Sequence, residues 1–247
     1  SGIENAIIVG KKLKEQGKPF GVRLDSGDLQ YLGAKVRQRL DEAGLTDATI
    51  VASNELDEHI IHQLVSSGSP ISSWGVGTNL VTAKGDPALT GVYKLCAREY
   101  NGSYVPTIKV SDNPEKITNP GIKQIYRYYH ADGAPLADLI ALRDEEIDPK
   151  EPQQFFHPMY PYKHFTSTMH KDVKPMLTKK IEKGTRISAR KSLQEIQQFS
   201  QAELSRFDNT YKRIINPHDY KISLSRKLKD MKFEMVEEYS KNIYFKP

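Results

Sequence analysis

The chain has 247 residues, a formal charge of +5, 38% hydrophobic residues and a single cysteine, Cys96. This length allows one large domain or two smaller ones, and the hydrophobic content suffices for a core. The single cysteine excludes an internal disulfide framework and a cysteine-rich zinc site. No stretch approaches the roughly 18 apolar residues of a membrane helix, and the first residues lack the regions of a signal peptide. We therefore expect a cytoplasmic protein with no membrane partner.

The positive charge is concentrated in residues 163–191, where lysine and arginine far outnumber acidic residues. A basic protein can bind nucleic acid, an anionic membrane surface or phosphorylated small molecules. A nucleic-acid-binding protein is expected to interleave basic and aromatic residues in a defined motif. The chain shows no such motif, so we expect no nucleic-acid partner. The basic run at 179–191 is most simply a solvated surface, and contact with a partner subunit or a phosphate is the alternative.

Residues 1–82 alternate between helical and strand-like patterns. Apolar spacing and terminal glycines predict helices at 3–17, 27–44 and 54–68, and short apolar runs predict strands at 20–24, 48–53 and 71–77. Asn54 is the expected N-cap of the third helix. Helices between short strands indicate right-handed βα units and a parallel sheet. Such sheets and barrels bind their ligands at the carboxyl ends of the strands.

Residues 91–142 have a different pattern, in which strand-like runs are separated by turn residues. These runs lie at 91–100, 104–110, 123–133 and 135–142, and they predict a β-meander. Beyond about residue 147 the chain is polar and basic, with helical patterns at 192–207 and 224–242. We therefore expect three regions: βα units with polar strand ends at 1–90, β-strands at 91–146, and a basic, mainly helical region at 147–247.

The end of the first predicted strand carries three charged residues in the sequence "RLDSGD". Arg23 and Asp25 are two positions apart, so both side chains point to the same face of a strand. They could form a structural ion pair. Alternatively, the guanidinium could bind a carboxylate or phosphate while the carboxylate binds ribose hydroxyls. Asp28 could cap the next helix or act through Mg²⁺ and water, and the residues alone leave these alternatives open.

The ends of the other two predicted strands are also small and polar. Ser53 and Asn54 are most simply part of a helix cap, with ligand contact as the alternative. In "GVGT", Gly75 and Gly77 let backbone N–H groups approach a phosphate without interference from Cβ, and Thr78 adds a hydroxyl donor. Two glycines in a loop are more often ordinary turn residues. We expect all three strand ends to face one shared opening, which favours a ligand site.

Four segments resemble a known family: "GVRLDSGDL", "SWGVGTNLVT", "LTGVYKL" and "KVSDNPEKITNPGIKQIYR". Their order and spacing resemble nicotinate phosphoribosyltransferase over roughly residues 1–142. The resemblance implies part of an irregular, TIM-like α/β barrel of the type II phosphoribosyltransferase fold, followed by a second α+β domain. It also implies a homodimer that makes nicotinate mononucleotide and pyrophosphate from nicotinate and phosphoribosyl pyrophosphate in NAD biosynthesis. The family couples this reaction to ATP hydrolysis through a phosphorylated histidine, and it uses Mg²⁺.

The resemblance also implies roles for the charged residues of the first strand end. Arg23 would face the nicotinate carboxylate and the reacting ribose, and Asp25 would lie near the ribose. Cleavage of the ribose–pyrophosphate bond develops positive charge on the sugar, which a nearby carboxylate stabilises. Asp28 would be a supporting acid or a Mg²⁺-linked one. Only nicotinate, not nicotinamide, would offer the arginine a bidentate partner.

The remaining site residues are implied to hold the sugar phosphate. Ser53 and Asn54 would meet the phosphoribosyl group. Gly77 and Thr78 would form the cradle of the 5′-phosphate, with Gly75 as the turn glycine. Fixing the phosphate in this way orients the reacting sugar.

One departure from the family concerns the phosphorylated histidine and the aromatic residue that stacks on the pyridine ring. Both belong to the family's N-terminal part, and no histidine of this chain occupies that motif. If the polypeptide begins at Ser1, we expect it to be inactive by itself. The alternatives are a nicotinamide or quinolinate phosphoribosyltransferase or, for an isolated fragment, a non-catalytic phosphate-binding or assembly module.

Overall fold

The computed structural model describes the backbone of residues 2–244 and the side chains of residues 2–241. The chain forms two compact units, residues 1–91 and 92–247. It combines helices with parallel and antiparallel strands, so the architecture is mixed α/β. Within residues 2–244, no helix combines the length and apolar character needed to cross a membrane.

The first unit alternates helices and strands. Its elements are α1 (Gly2–Glu15), β1 (Gly21–Leu24), α2 (Leu29–Glu42), β2 (Thr49–Ala52), α3 (Glu58–Ser66), β3 (Ser73–Trp74) and the single turn α4 (Thr78–Val81). The strands pair in parallel in the order β1-β2-β3. The βα alternation expected for this part of the chain is confirmed.

The core of the first unit lies on one face of this parallel sheet. Ile50 and Ala52 of β2 are fully buried there, together with Leu40 of α2. Gly10 of α1 lets that helix approach closely, because a Cβ at this position would lie 2.8 Å from a methyl group of Leu45. Arg23 alternates with the apolar residues of β1 and stays exposed. The sheet therefore carries its apolar side chains toward the helices and its charged side chain away from them.

The second unit is richer in strands. Its strands are β4 (Ala97–Tyr100), β5 (Ser103–Pro106), β6 (Lys123–Tyr129), β7 (Pro135–Leu142), β8 (Gln153–Phe156), β9 (His164–Ser167), β10 (Asp172–Pro175), β11 (Ile181–Glu182), β12 (Thr185–Arg186) and β13 (Ile222–Leu224). Its helices are α5 (Leu193–Ser205) and α6 (Arg226–Tyr244), with 3₁₀ turns at Pro114–Lys116 and Asn209–Lys212. Six strands form one sheet in the order β10-β6-β7-β13-β8-β9, while β4–β5 and β11–β12 are separate hairpins.

The six-stranded sheet curls strongly. The rings of Tyr128 in β6 and Phe155 in β8 have centroids 5.0 Å apart, although β7 and β13 lie between their strands. In a flat sheet, three strand spacings would separate them by about 14 Å. The concave face therefore closes around a core in which Tyr128, Leu139 and Phe155 are fully buried. Leu224 and Leu228 form a second cluster with Leu142, which packs the start of α6 against the sheet.

Two expectations for the second unit were wrong. Strand structure in the first predicted run begins only at Ala97, and residues 87–96 form no regular element. The region after residue 147 is not mainly helical, because it contributes β8 to β13 as well as two helices. Those strands are only two to four residues long, so they show too little alternation to be recognised.

Candidate functional site

A closed hydrogen-bond network joins the ends of β1 and β2. Arg23 donates from Nη2 to Oδ1 of Asp25 over 2.6 Å and from Nε to Oγ of Ser53 over 2.8 Å. The Ser53 hydroxyl donates to the same Asp25 oxygen over 2.6 Å. The parallel register causes this meeting: Leu24 pairs with Ala52, and the Ser53 N–H donates to the Leu24 carbonyl.

The members of this network differ in exposure. The side chains of Arg23 and Asp25 are 64% and 59% exposed, whereas Ser53 is only 7% exposed. The ion pair that the sequence left open is thus present, but an exposed pair of this kind contributes little stability. Both charged groups can still meet a ligand from solvent, whereas the buried hydroxyl orients them.

Asp28 lies in the same loop but has a different partner. Its carboxylate accepts a hydrogen bond of 3.0 Å from the N–H of Tyr31, so it is the N-cap of α2. Gly27 precedes it with φ +79°, a left-handed conformation that favours glycine. The tight turn therefore separates the network of Arg23, Asp25 and Ser53 from the helix cap.

The loop after β2 corrects one sequence-based expectation. Asn54 does not cap α3; the cap is Asp57, whose carboxylate accepts from the N–H groups of His59 and Ile60 at 3.1 and 2.9 Å. Asn54 instead has φ +80°, which is uncommon for a non-glycine residue. The sequence offered a signal for either residue, since both types are good N-caps, and the position of the first helical turn decided between them.

The glycine-rich turn follows β3. The Gly75 N–H extends the sheet by donating to the Ala52 carbonyl over 2.7 Å, and a Cβ on Gly75 would lie 3.4 Å from that of Ser53. Gly77 is the N-cap of α4 and supplies no side chain to it. Asn79, which sequence reasoning missed, donates over 2.9 Å to the Leu56 carbonyl. The structure thus brings Gly75 to the network, while Gly77 and Thr78 show no hydrogen bond to it within the described part of the chain.

A cavity of about 290 Å³ lies between the loops that follow β1 and β2. Its wall includes Ser26, Asp28, Ser53 and Asn54, and apolar side chains of α3 line the other side. Predicted residues from two strand ends therefore share one concave surface at the carboxyl edge of the parallel sheet.

The charged residues of the described chain form no metal-binding cluster. Within residues 2–241, no three histidine, cysteine, aspartate or glutamate side chains are grouped closely enough to hold a metal ion.

Lys94, for which the sequence suggested no role, donates to the Lys116 carbonyl over 3.0 Å and so ties two loops of the second unit together.

Comparison with known proteins points to one family. Residues 122–232 match the model of the nicotinate phosphoribosyltransferase C-terminal domain. Nicotinate phosphoribosyltransferase of Bacillus subtilis is 42% identical over 98% of this chain, and the human protein of that name is 33% identical over 92%. Nearly the whole chain is therefore similar to nicotinate phosphoribosyltransferases, and residues 122–232 match the C-terminal domain of that family.

The chain spans about half the length of the curated relatives it matches, 50% of the Bacillus subtilis protein and 43% of the human one. Its structure is similar to that of human nicotinic acid phosphoribosyltransferase, with a TM-score of 0.64 and 27% identity over 88% of the chain. The nicotinate-nucleotide pyrophosphorylase of Pyrococcus furiosus is similar in fold, with a TM-score of 0.50 at 19% identity. The mixed α/β fold expected from the sequence is thus shared with the human protein.

Proposed function

We propose that the protein to which this chain belongs forms nicotinate mononucleotide from nicotinate and phosphoribosyl pyrophosphate. The observation that carries this proposal is the network of Arg23, Asp25 and Ser53 at the carboxyl edge of a parallel sheet. The relatives that match nearly the whole chain carry the name of this activity. The network places a cation beside an anion. The cation suits the carboxylate of nicotinate, and the anion suits the positive charge that develops on the ribose.

Arg23 binds the carboxylate of nicotinate in this proposal. Its Nε and Nη2 are held by Ser53 and Asp25, and the side chain remains 64% exposed. A guanidinium fixed in this way presents its remaining N–H groups in one direction, and it pairs with a carboxylate more strongly than with an amide. Asp25 lies against it and stabilises the positive charge that develops on the ribose as the bond to pyrophosphate breaks.

The phosphoribosyl group is held by the loops after β2 and β3. Ser53 and Asn54 line the cavity at the strand ends, and Gly75 brings the third strand close to Ser53. Gly77 and Thr78 begin α4 without a side-chain cap, so backbone N–H groups of this turn can meet the 5′-phosphate together with the Thr78 hydroxyl. Binding the phosphate here would orient the sugar toward Asp25.

The wider architecture is part of the same proposal. The parallel units at 1–90 form part of an irregular α/β barrel. Residues 91–146 contribute strands to a second α+β domain, and residues 147–247 form the C-terminal region. The polar network at the ends of β1 and β2 supports this, because barrel enzymes carry their active sites at the C-terminal ends of the strands. We also expect a cytoplasmic homodimer that binds neither nucleic acid nor a membrane.

Mg²⁺ and ATP fit this chain only in part. Mg²⁺ is usually held by one or two carboxylates together with substrate phosphates and water. Asp28 and Glu55 line the cavity, and Asp25 is hydrogen-bonded to Ser53 of its wall. Asp28 already caps α2 through one oxygen, so it would contribute its second oxygen. When bound, Mg²⁺ would neutralise charge on the pyrophosphate. ATP would supply the phosphoryl group of the coupled step, for which these residues form no recognisable site.

A chimeric enzyme tests the proposal. This chain would be joined to the part of the Bacillus subtilis relative that it does not cover, and nicotinate mononucleotide formation would be measured with nicotinate, nicotinamide and quinolinate as competing substrates. We expect activity with nicotinate. Arg23→Ala and Asp25→Asn should each lower kcat/KM by roughly a hundredfold or more, as for loss of a group that stabilises developing charge.

The matched control is Asp47→Asn, an exposed carboxylate that precedes β2, whereas Ser53 follows that strand. It should leave kcat/KM unchanged. A chimera that uses nicotinamide or quinolinate in preference to nicotinate, or one in which Arg23→Ala has no effect, would contradict the proposal. The 247-residue chain assayed alone should form no product.

A further inference from the structure

The concave face of the six-stranded sheet opens into a second groove, remote in sequence from the site above. This groove has a volume of about 510 Å³ and lies where the β8–β9 hairpin diverges from the start of β13. Residues 155, 157, 163 and 165 alternate along the hairpin, so their side chains share one face of the sheet. Lys221 and Ser223 reach the groove from the chain entering β13.

The rim of this groove is basic. Lys163 and Lys221 line it together with His157 and His218, and Asp219 is the single acidic residue among its lining residues. Both ammonium groups lie over aromatic rings: that of Lys163 is 4.9 Å from the ring centroid of Tyr160, and that of Lys221 is 4.7 Å from that of Phe165. The rings hold the cations in place without neutralising them.

The backbone fixes the tautomer of His157, which lines this groove. Its Nδ1 accepts from the backbone N–H groups of Met159 and Tyr160 at 3.1 and 3.2 Å. Because Nδ1 is an acceptor, the proton of the neutral ring lies on Nε2. The groove therefore contains two ammonium groups and a fixed imidazole N–H, all of which are donors.

Two stacked phenylalanine rings line the floor of the groove. Phe155 and Phe165 stack on each other with centroids 4.6 Å apart and planes 7° apart. The ammonium group of Lys221 lies over the Phe165 ring. Donors around this floor suit a compact anion that accepts several hydrogen bonds.

We propose that this groove is a second anion site, which binds a small molecule through a phosphate or pyrophosphate group. Lys163, Lys221 and His157 supply the donors, and Asp219 limits the net positive charge. A phosphate offers acceptor oxygens on several sides and matches donors supplied by the β8–β9 connection and by the segment that enters β13. The site belongs to the second unit and is independent of the network around Arg23.

Residue-resolved NMR of the isotopically labelled 247-residue chain tests this site. Sodium pyrophosphate and sodium phosphate would be titrated separately, with sodium chloride at equal ionic strength as the reference. We expect saturable shifts of the backbone signals of Lys221 and Ser223 and of the His157 ring. Lys221→Ala and Lys163→Ala should each weaken pyrophosphate binding about tenfold, the effect of losing one charge-assisted hydrogen bond.

The control variant is Lys171→Ala, which removes an exposed lysine from the β9–β10 connection and should leave the affinity unchanged. Signals of residues 75–78 report separately on any binding at the proposed catalytic site. Unsaturable shifts that chloride reproduces would overturn the second site. Equal affinity of the Lys163→Ala, Lys221→Ala and Lys171→Ala variants would overturn it too, even if phosphate binds at residues 75–78.

Discussion

The Ser53 hydroxyl lies 2.8 Å from Nε of Arg23 and links the end of β2 to β1. It also donates to the carboxylate that pairs with this arginine, so a single small side chain orients both charged groups of the site. Ser53 is 7% exposed, so its buried hydroxyl holds the two charged groups in position while they face solvent.

Ser53→Ala should therefore weaken the first unit. Loss of the hydroxyl leaves one donor of Arg23 and one acceptor of Asp25 without their partner, and we expect a loss of about 1 kcal/mol in the free energy of unfolding. Urea unfolding followed by circular dichroism measures this. Ser66→Ala, an exposed serine at the end of α3, is the control, and equal stability of the two variants would argue against a linking role for Ser53.

Arg127 and Asp138 form a two-pronged ion pair across β6 and β7, with N–O distances of 2.8 and 2.9 Å. Their side chains are only 15% and 11% exposed, and Tyr220 donates a third hydrogen bond to Asp138. Arg127→Met leaves the carboxylate buried without its cation, which should cost about 3–5 kcal/mol.

The double variant Arg127→Met with Asp138→Leu should be more stable than the sum of the single losses predicts, because it removes both charges. Lys174→Met is the control, since the ion pair of Lys174 with Asp172 is about half exposed and should contribute at most about 1 kcal/mol. Strictly additive losses in urea unfolding would contradict a coupled pair.

Lys232 of α6 is 4% exposed and donates to the Pro158 carbonyl over 3.1 Å. Burial lowers the pKa of Lys232, whereas an unfolded lysine keeps its proton up to a pKa of about 10.4. Between these two pKa values unfolding takes up a proton, so stability attributable to this lysine rises with pH.

Lys232→Met should therefore be more stable than the parent by about 1 kcal/mol at neutral pH, since it buries no charge. This advantage should shrink as the pH approaches the unfolded pKa. Parallel urea unfolding of both proteins from pH 7 to 10 measures the difference, and Lys171→Met serves as an exposed control. An advantage that grows with pH would contradict the assignment.

Gly27 occupies the left-handed region at φ +79° between Asp25 and the cap of α2. An added Cβ would also lie 3.0 Å from a methyl group of Leu32. Gly27→Ala should lower the free energy of unfolding by about 1 kcal/mol or more. At Gly91 a Cβ meets no atom within 4 Å, so Gly91→Ala should be neutral, and thermal unfolding of the two variants compares them directly.

The sequence by itself determined the βα alternation of the first unit and the residues at its strand ends. Apolar spacing, terminal glycines and the position of Arg23 relative to Asp25 are local features, and the parallel sheet follows from them. The sequence did not show whether Asn54 or Asp57 caps α3, because both side chains suit that role. Only the position at which the helix starts identifies Asp57 as the cap.

Only the tertiary structure decided which distant residues meet. Ser53 reaches Arg23 through the register of β1 and β2, and the curl of the second sheet carries Phe155 to Tyr128 across two intervening strands. β13 lies between β7 and β8, although its residues follow them by about 80 and 70 positions. Strands this short have no periodicity of their own, and their stability comes from partners that local sequence does not specify.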